Sequence, residues 1–330
     1  MPTWSCSWGC GCCPPAQREG GMKVLDNLQQ LPSPPPGTVL TIGNFDGMHR
    51  GHQKLFSRVV DEARRIHGTA ALITFQPHPA KLLRPELAPL LLTTLEQKLA
   101  MVEAAGIDVV MNLHFTPELC STSATEFVES MVMPHFQPRT IFIGTPFRFG
   151  HNREGDVTLL RSLGERLGFK AEGVGVVDED GEIISATRIR RALQEGRAAA
   201  AARMLGRPYE MVGTVVEGAR RGRKLQFPTA NLACENELIP AEGVYATWLR
   251  VDDRLLASVT NIGRRPTFGD QGLAVEAHVL DFDGNLYHRR VALQFIERLR
   301  EERRFASPEE LVAQIQKDVA RSREILVSAR

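Results

Sequence analysis

The sequence predicts two folded domains of different class: a doubly wound parallel-sheet α/β domain, then a small antiparallel β-barrel with one terminal helix. Three observations lead there. From Thr38 to Val177, short apolar strands alternate with helical stretches, the pattern of a parallel sheet covered on both faces. Beyond about residue 206 the helical period gives way to short strands rich in Val, Leu and aromatics, with turn signals between them, the pattern of a small barrel. Finally, 330 residues are enough to bury two cores.

Composition narrows the function classes. Hydrophobic residues make up 43% and charged residues 24%, as in ordinary globular proteins. Lys plus Arg is 40 against 39 for Asp plus Glu, so no basic field calls for nucleic acid. No apolar run approaches the roughly 20 residues that span a bilayer, so no membrane partner is expected. Cys6, Cys10, Cys12 and Cys13 crowd the start and leave Cys120 and Cys234 for the body, which excludes a disulfide framework and fits the cytoplasm. No Cys or His pair follows that cluster at zinc spacing, and no basic start precedes an apolar run. Residues 1–21 therefore read as a disordered Cys-, Pro- and Gly-rich extension, and Met22 opens the folded chain.

The first domain takes its elements in order. Pro32–Gly37 is a stiff lead-in to a buried strand, Thr38–Ile42. Leu55, Phe56, Val59, Val60, Ala63 and Ile66 recur at helical spacing, predicting a helix over Gln53–His67. A strand over Ala70–Phe75 and a helix through Leu95, Leu99 and Val102, ended by Gly106, follow. Ile107–Phe115 is the third strand. Ser123 and Glu126 form a capping box for a helix carrying Phe127, Val128 and Met131. Thr140–Ile143, a helix over Asp156–Leu167 and a fifth strand over Ala171–Val177 complete the set. Ligands of such sheets sit at the carboxyl ends of the strands, where Gly43–His52, Gln76–Pro79 and Gly144–Gly150 fall.

Gly43-Asn44-Phe45-Asp46-Gly47-Met48-His49-Arg50-Gly51-His52 links the first strand to its helix. Gly43 and Gly47 allow close backbone approach, and a helix start offers free N–H groups and a positive dipole end to an anion. Two imidazoles at that point can hydrogen-bond phosphate oxygens. An isolated H-x-x-H is more often packing or surface, and a metal pair wants i, i+4 spacing and further ligands. The whole string resembles the H-x-G-H signature of the nucleotidyltransferase superfamily, which implies a Rossmann-like domain. Ser185, Thr187 and Arg188 read either as N-capping residues or as hydroxyls and a guanidinium for phosphate.

With Thr74–Pro79, Phe147-Arg148-Phe149-Gly150, Arg153, Gly155-Asp156 and Ile184–Arg190, the first half resembles the FMN adenylyltransferase module of bacterial bifunctional FAD synthetases. The resemblance implies that His49 and His52 contact the ATP phosphates catalytically. It makes Gly43, Asn44, Phe45 and Asp46 part of the nucleotide site, and gives Ser185, Thr187 and Arg188 the triphosphate tail. Pro146, Ala186 and Gln76 depart from residues frequent in the family.

The remaining chain is a helical connector over 191–205, making 22–190 the first domain, and a barrel over 206–330. Strands are expected at Val212–Val216, Gly243–Val251, Leu255–Ile262, Ala274–Phe282 and Val291–Leu299, with turns at Asp252-Asp253 and Asp283-Gly284. Ser307, Pro308 and Glu310 open a closing helix through Leu311, Ile315, Val319 and Leu326. The basic loop Gly218–Lys224 leads into Phe227-Pro228-Thr229-Ala230-Asn231, which by itself reads as a turn. Thr229 and Asn231, two apart, would face one side of an extended segment as oxygen ligands for Mg2+.

Those residues, with Asn261-Ile262-Gly263, Arg265–Phe268 and Val275-Glu276, resemble the riboflavin kinase module of the same family. The resemblance implies Mg2+ on Thr229 and Asn231, an ATP- and flavin-binding set of Gly218, Gly222, Lys224, Pro228, Thr229 and Asn231, and Glu276 as general base. Gln226 and His288 stand where the family often has glycine. The expectation is a Mg2+-dependent enzyme that phosphorylates riboflavin to FMN and adenylylates FMN to FAD with ATP. Two rivals are weighed. An adenylyltransferase for nicotinamide mononucleotide would have no such barrel, and a flavin-binding regulator would not need these intact site residues.

Overall fold

In the computed structural model of the chain the described residues are 21–218, 227–264 and 273–328. The N-terminal extension up to residue 20, the cluster from Arg220 to Lys224 and the segment Arg265–Phe268 lie outside them. The chain forms two compact units, divided at Ile184 and Ser185, and the short segment Leu90–Thr94 belongs to the second.

The first unit is built on a parallel sheet of strands β1 (Lys23–Leu25), β2 (Val39–Ile42), β3 (Ala70–Gln76), β4 (Val109–His114), β5 (Thr140–Gly144) and β6 (Lys170–Val174), in the order β1-β4-β3-β2-β5-β6. Alternation along β2 sends Val39 to one face and Leu40 and Ile42 to the other. On the Val39 side lie Phe56, Val59 and Val60 of helix α1 (Arg50–Arg65) and, beyond the short α2 (Pro79–Leu83), Val102 of α3 (Leu95–Ala104). After α4 (Pro117–Ser121), the other face is covered by α5 (Ala124–Glu126), a π-helical stretch over Phe127–Val132 and α6 (Met133–Phe136), and by α7 (Val157–Leu167). Ser123 caps α5 by accepting from the Glu126 N–H, as its spacing predicts. A small hairpin of β7 (Asp178–Glu179) and β8 (Glu182–Ile183) ends the unit.

The second unit opens with α8 (Ala186–Gln194) and α9 (Ala198–Leu205), so 191–205 is helical in two pieces, separated at Gly196 with its φ of 75°. Strands β9 (Tyr209–Val216), β10 (Ala230–Cys234), β11 (Gly243–Val251), β12 (Arg254–Arg264), β13 (Leu273–Val279) and β14 (Arg290–Arg300) close an antiparallel barrel in the order β10-β13-β12-β11-β14-β9. The closing helix α10 (Pro308–Ser328) lays Ile325 and Leu326 against Ala246 and Trp248 of β11. It is also clamped by charge: Arg300 meets Asp318 through Nε at 3.0 Å and a terminal nitrogen at 2.8 Å. The visiting segment 90–94 is held by backbone and side chains of this unit. Arg190 Nε donates to the Leu90 carbonyl at 2.7 Å, the Leu238 N–H to the Leu91 carbonyl at 3.3 Å, and Asn236 Nδ2 to the Leu92 carbonyl at 3.2 Å.

Five readings change. Strand β1 is an addition, because three residues cannot show a period; it is recruited by parallel pairing with β4. Helix α1 begins at Arg50 rather than Gln53, since Gly51 and His52 are poor helix formers held by the turn before them. The Ala171–Val177 strand stops at Val174, and the Ala274–Phe282 strand stops at Val279, ahead of Asp281 with its left-handed φ of 53°. Strand β10 replaces the expected turn: Pro228 lies outside it, and Asn231 is held in register with Val216 and Glu276 despite its low strand propensity. Among the described residues no helix is long and apolar enough to cross a membrane.

Candidate active sites

In the first unit the chain leaves β2 in a turn that needs its special residues. Phe45 at φ 52° and Met48 at φ 43° take left-handed backbone, and Gly47 at φ 75° does so without strain. Gly43 also leaves room for a neighbouring side chain, because a Cβ there would lie 2.8 Å from the Phe45 ring. Phe45 in turn meets Phe56 at 4.8 Å and the His52 ring edge-on at 5.2 Å between centroids. The turn delivers His49 to the N-cap position of α1, where its side chain makes no capping bond.

His49 and His52 stack, with ring centroids 3.6 Å apart and planes 20° from parallel. Gly51 makes room for this, since a Cβ there would sit 3.1 Å from His49 Cε1. Among the described residues, His52 Nδ1 is buried without a hydrogen-bond partner. Burial first, then the neighbouring His49 and then Lys98, hold the His52 imidazole well below the ordinary value of 6.5, so it is neutral at physiological pH. Arg50, between the histidines, is tied to Glu179 of the hairpin at 2.5 Å.

Lys98 carries no motif, yet it is buried behind this turn. Its Nζ lies 3.5 Å from Thr74 Oγ1, and Thr74 Oγ1 lies 3.4 Å from the Asn44 carbonyl oxygen. Burial lowers its pKa while the buried Asp46 carboxylate opposes that shift. A buried lysine on a helix otherwise reading as amphipathic gives no sequence signal beyond interrupting the apolar stripe.

Ser185, Thr187 and Arg188 belong to the second unit. Ser185 caps α8 by accepting from the Arg188 N–H at 3.3 Å, so the capping reading holds, and Thr187 is exposed on the first turn.

The barrel brings the kinase candidates together by register. Glu276 on β13 stands opposite Asn231 on β10 and opposite Asn261 on β12, so the three side chains form one row on one face. Asn261 is a member that its string gave no separate reason to select. Gly218 lies against the buried Asn231 amide: a Cβ there would be 2.3 Å from Asn231 Nδ2. Thr229 directly precedes β10, after the exposed Pro228. Gly222 and Lys224 fall outside the described residues.

Comparison with known proteins agrees with both halves. A family model described as FAD synthetase matches residues 31–188 and one described as riboflavin kinase matches residues 205–326. A bifunctional riboflavin kinase/FMN adenylyltransferase of Pseudomonas fluorescens is 38% identical over 303 residues, covering 92% of this chain and 97% of the relative. The chain belongs to the bifunctional riboflavin kinase/FMN adenylyltransferase family. A second relative of that description, from Escherichia coli strain K12, is 37% identical over 304 residues, covering 92% of this chain and 96% of its own. As a member of this family the chain is a transferase with a FAD synthetase half and a riboflavin kinase half. A solved structure described as a macrolide-efflux protein from Streptococcus pneumoniae shares the fold, with a TM-score of 0.82 at 26% identity over 92% of this chain and 98% of that one.

Proposed function

We propose that residues 206–330 phosphorylate riboflavin to FMN and that residues 22–190 transfer the adenylyl group of ATP to FMN, giving FAD and pyrophosphate. The observation that carries this is one chain holding both site geometries while matching bifunctional relatives along 92% of its length.

In the barrel, Thr229 and Asn231 supply oxygen donors for Mg2+ with ATP, with Gly218, Gly222, Lys224 and Pro228 around the nucleotide and flavin. The donor set fits the ion: a hydroxyl, an amide oxygen and substrate phosphates are hard ligands, and Mg2+ needs only one or two protein groups beside phosphate. Among the described residues no group of three or more His, Cys, Asp or Glu is placed to hold a metal ion. When bound, the ion neutralises charge on the transferring phosphoryl group. Glu276 takes the proton from the ribityl 5′-hydroxyl as its oxygen bonds to the γ-phosphorus and the bond to ADP breaks. Asn261 stands opposite it in register.

In the first unit, an FMN phosphate oxygen attacks the α-phosphorus of ATP and pyrophosphate leaves. His49 and His52 meet the phosphate oxygens, and the neutral His52 does so as a hydrogen-bond donor rather than as a fixed cation. Gly43, Asn44, Phe45 and Asp46 shape the turn beneath, and the family resemblance supports a role for Ser185, Thr187 and Arg188 toward the triphosphate tail. Mg2+ accompanies the nucleotide here too. We place the enzyme in the cytoplasm, with Cys120 and Cys234 unpaired as in a reducing compartment. Its partners are riboflavin, FMN and ATP, not nucleic acid or membrane.

The test is to incubate the chain with riboflavin, ATP and Mg2+ and separate the flavins by chromatography over time. FMN should appear and then convert to FAD. Glu276→Gln should stop FMN formation yet convert supplied FMN, and His52→Ala should do the reverse. A His52→Ala variant with full FAD formation would sink the histidine assignment.

A further inference from the structure

One histidine of the barrel sits where the metal-binding segment leaves the sheet. The β10–β13 ladder pairs Asn231 with Glu276 and Ala230 with Ala277, and then stops. Next in register come Thr229 and His278. The ladder has a reason to stop: Pro228 has no N–H to give, so its carbonyl is its one backbone handle. His278 takes that handle, with Nδ1 2.8 Å from the Pro228 oxygen. A carbonyl oxygen only accepts, so Nδ1 bears the proton and donates. The His278 ring also meets Phe227 edge-on, with centroids 5.4 Å apart and planes at 79°. Side chains two apart on a strand share a face, so His278 lies on the side of β13 that carries Glu276.

We infer that His278 is a positioning residue for riboflavin phosphorylation, fixing Thr229 relative to Glu276 through its hydrogen bond to the Pro228 carbonyl. The inference rests on the kinase reading above. Its physical need is the ion's narrow tolerance: Mg2+ demands near-octahedral geometry at about 2.0–2.1 Å, and a ligand at a ladder's frayed end would wander by more than that allows. One strand then carries the proton acceptor and grips the segment bearing the metal ligand. A histidine that merely satisfies a strand-end carbonyl would brace the barrel as a whole and leave metal handling untouched.

The experiment uses the full chain and three measurements: riboflavin phosphorylation against Mg·ATP concentration, adenylylation of supplied FMN, and thermal unfolding. His278→Phe keeps a ring against Phe227 and removes the donor. His278→Asn places an amide N–H near the Nδ1 position. Phenylalanine should raise KM for Mg·ATP about tenfold, the scale of one lost hydrogen bond, with kcat and adenylylation nearly unchanged. Asparagine should restore KM to within about threefold of the parent, since one donor replaces another. A phenylalanine variant with the parent KM overturns the inference. So does an asparagine variant as impaired as phenylalanine, or a loss of both activities with a lowered melting temperature. Should phenylalanine fail to fold, asparagine alone decides: a near-parental KM supports the bond and an impaired one overturns it. Glu276→Gln run alongside separates the failures, because parental FMN formation in that variant removes the kinase assignment, and the inference with it.

Discussion

Replacing Gly51 by alanine should separate stability from activity. The position lies in the first turn of α1, between the two histidines. An alanine there favours the helix by up to about 0.5–1 kcal/mol relative to glycine, so the fold should hold or gain. The new Cβ, however, would stand 3.1 Å from His49 Cε1 and 3.2 Å from Nδ1, closer than ordinary contact. The imidazole must then give by a few tenths of an ångström, and it is already stacked on His52 at 3.6 Å. Misplacing a reacting group by about 1 Å can cost on the order of a hundredfold in rate, so a shift of tenths should cost about tenfold. The assay is FAD formation from supplied FMN. Riboflavin phosphorylation by the same molecules is the internal control and should not change. Thermal unfolding should show no loss. Full FAD formation by Gly51→Ala would refute the idea that the glycine exists to seat the ring, and a fall in both activities would point to general damage.

Acid should weaken the first unit through His52. Its folded imidazole resists protonation while the unfolded one accepts a proton below about 6.5, so the unfolded state binds more protons and stability falls as pH drops through that value. Denaturant titrations at about pH 8 and about pH 5 check the sign. Lys98→Met removes one of the three causes, so the His52 imidazole should titrate nearer 6.5, seen directly by NMR; an unchanged titration would show that Lys98 does not act on it. In the second unit, Asp318→Ala leaves Arg300 without its carboxylate partner, at a cost of about 3–5 kcal/mol. Equilibrium unfolding should show that loss, and FMN formation should fall with the docking of α10.

Legibility in the sequence followed how local each cause is. Strand β2, the Ser123 cap and the terminal helix declared themselves through period and capping residues, because those preferences act within a few positions. The histidine string was equally plain, and the structure adds why its glycines are there: Gly43 yields to Phe45 and Gly51 to His49. What stayed hidden depends on distant partners. β1 is three residues whose strand state comes from β4, more than 80 positions away in register at Lys23 and Val109. β10 read as a turn because Pro228 and Asn231 are weak strand formers, and barrel closure overrides them. Lys98 and His278 carry no motif, and burial behind the turn and the bond to Pro228 single them out; Asn261 is singled out of its string by register beside Glu276.

The placement of Leu90–Thr94 bears on how this gene can be divided. The polypeptide passes into the second unit at 89/90, returns at 94/95 and crosses for good at 184/185, so neither unit corresponds to one uninterrupted coding stretch. A fragment starting at Ser185 would leave Arg190, Asn236 and the Leu238 amide without the peptide carbonyls they bond. Splitting the two activities onto separate polypeptides is therefore a matter of supplying that five-residue insert again, by circular permutation or in trans, rather than of cutting a linker.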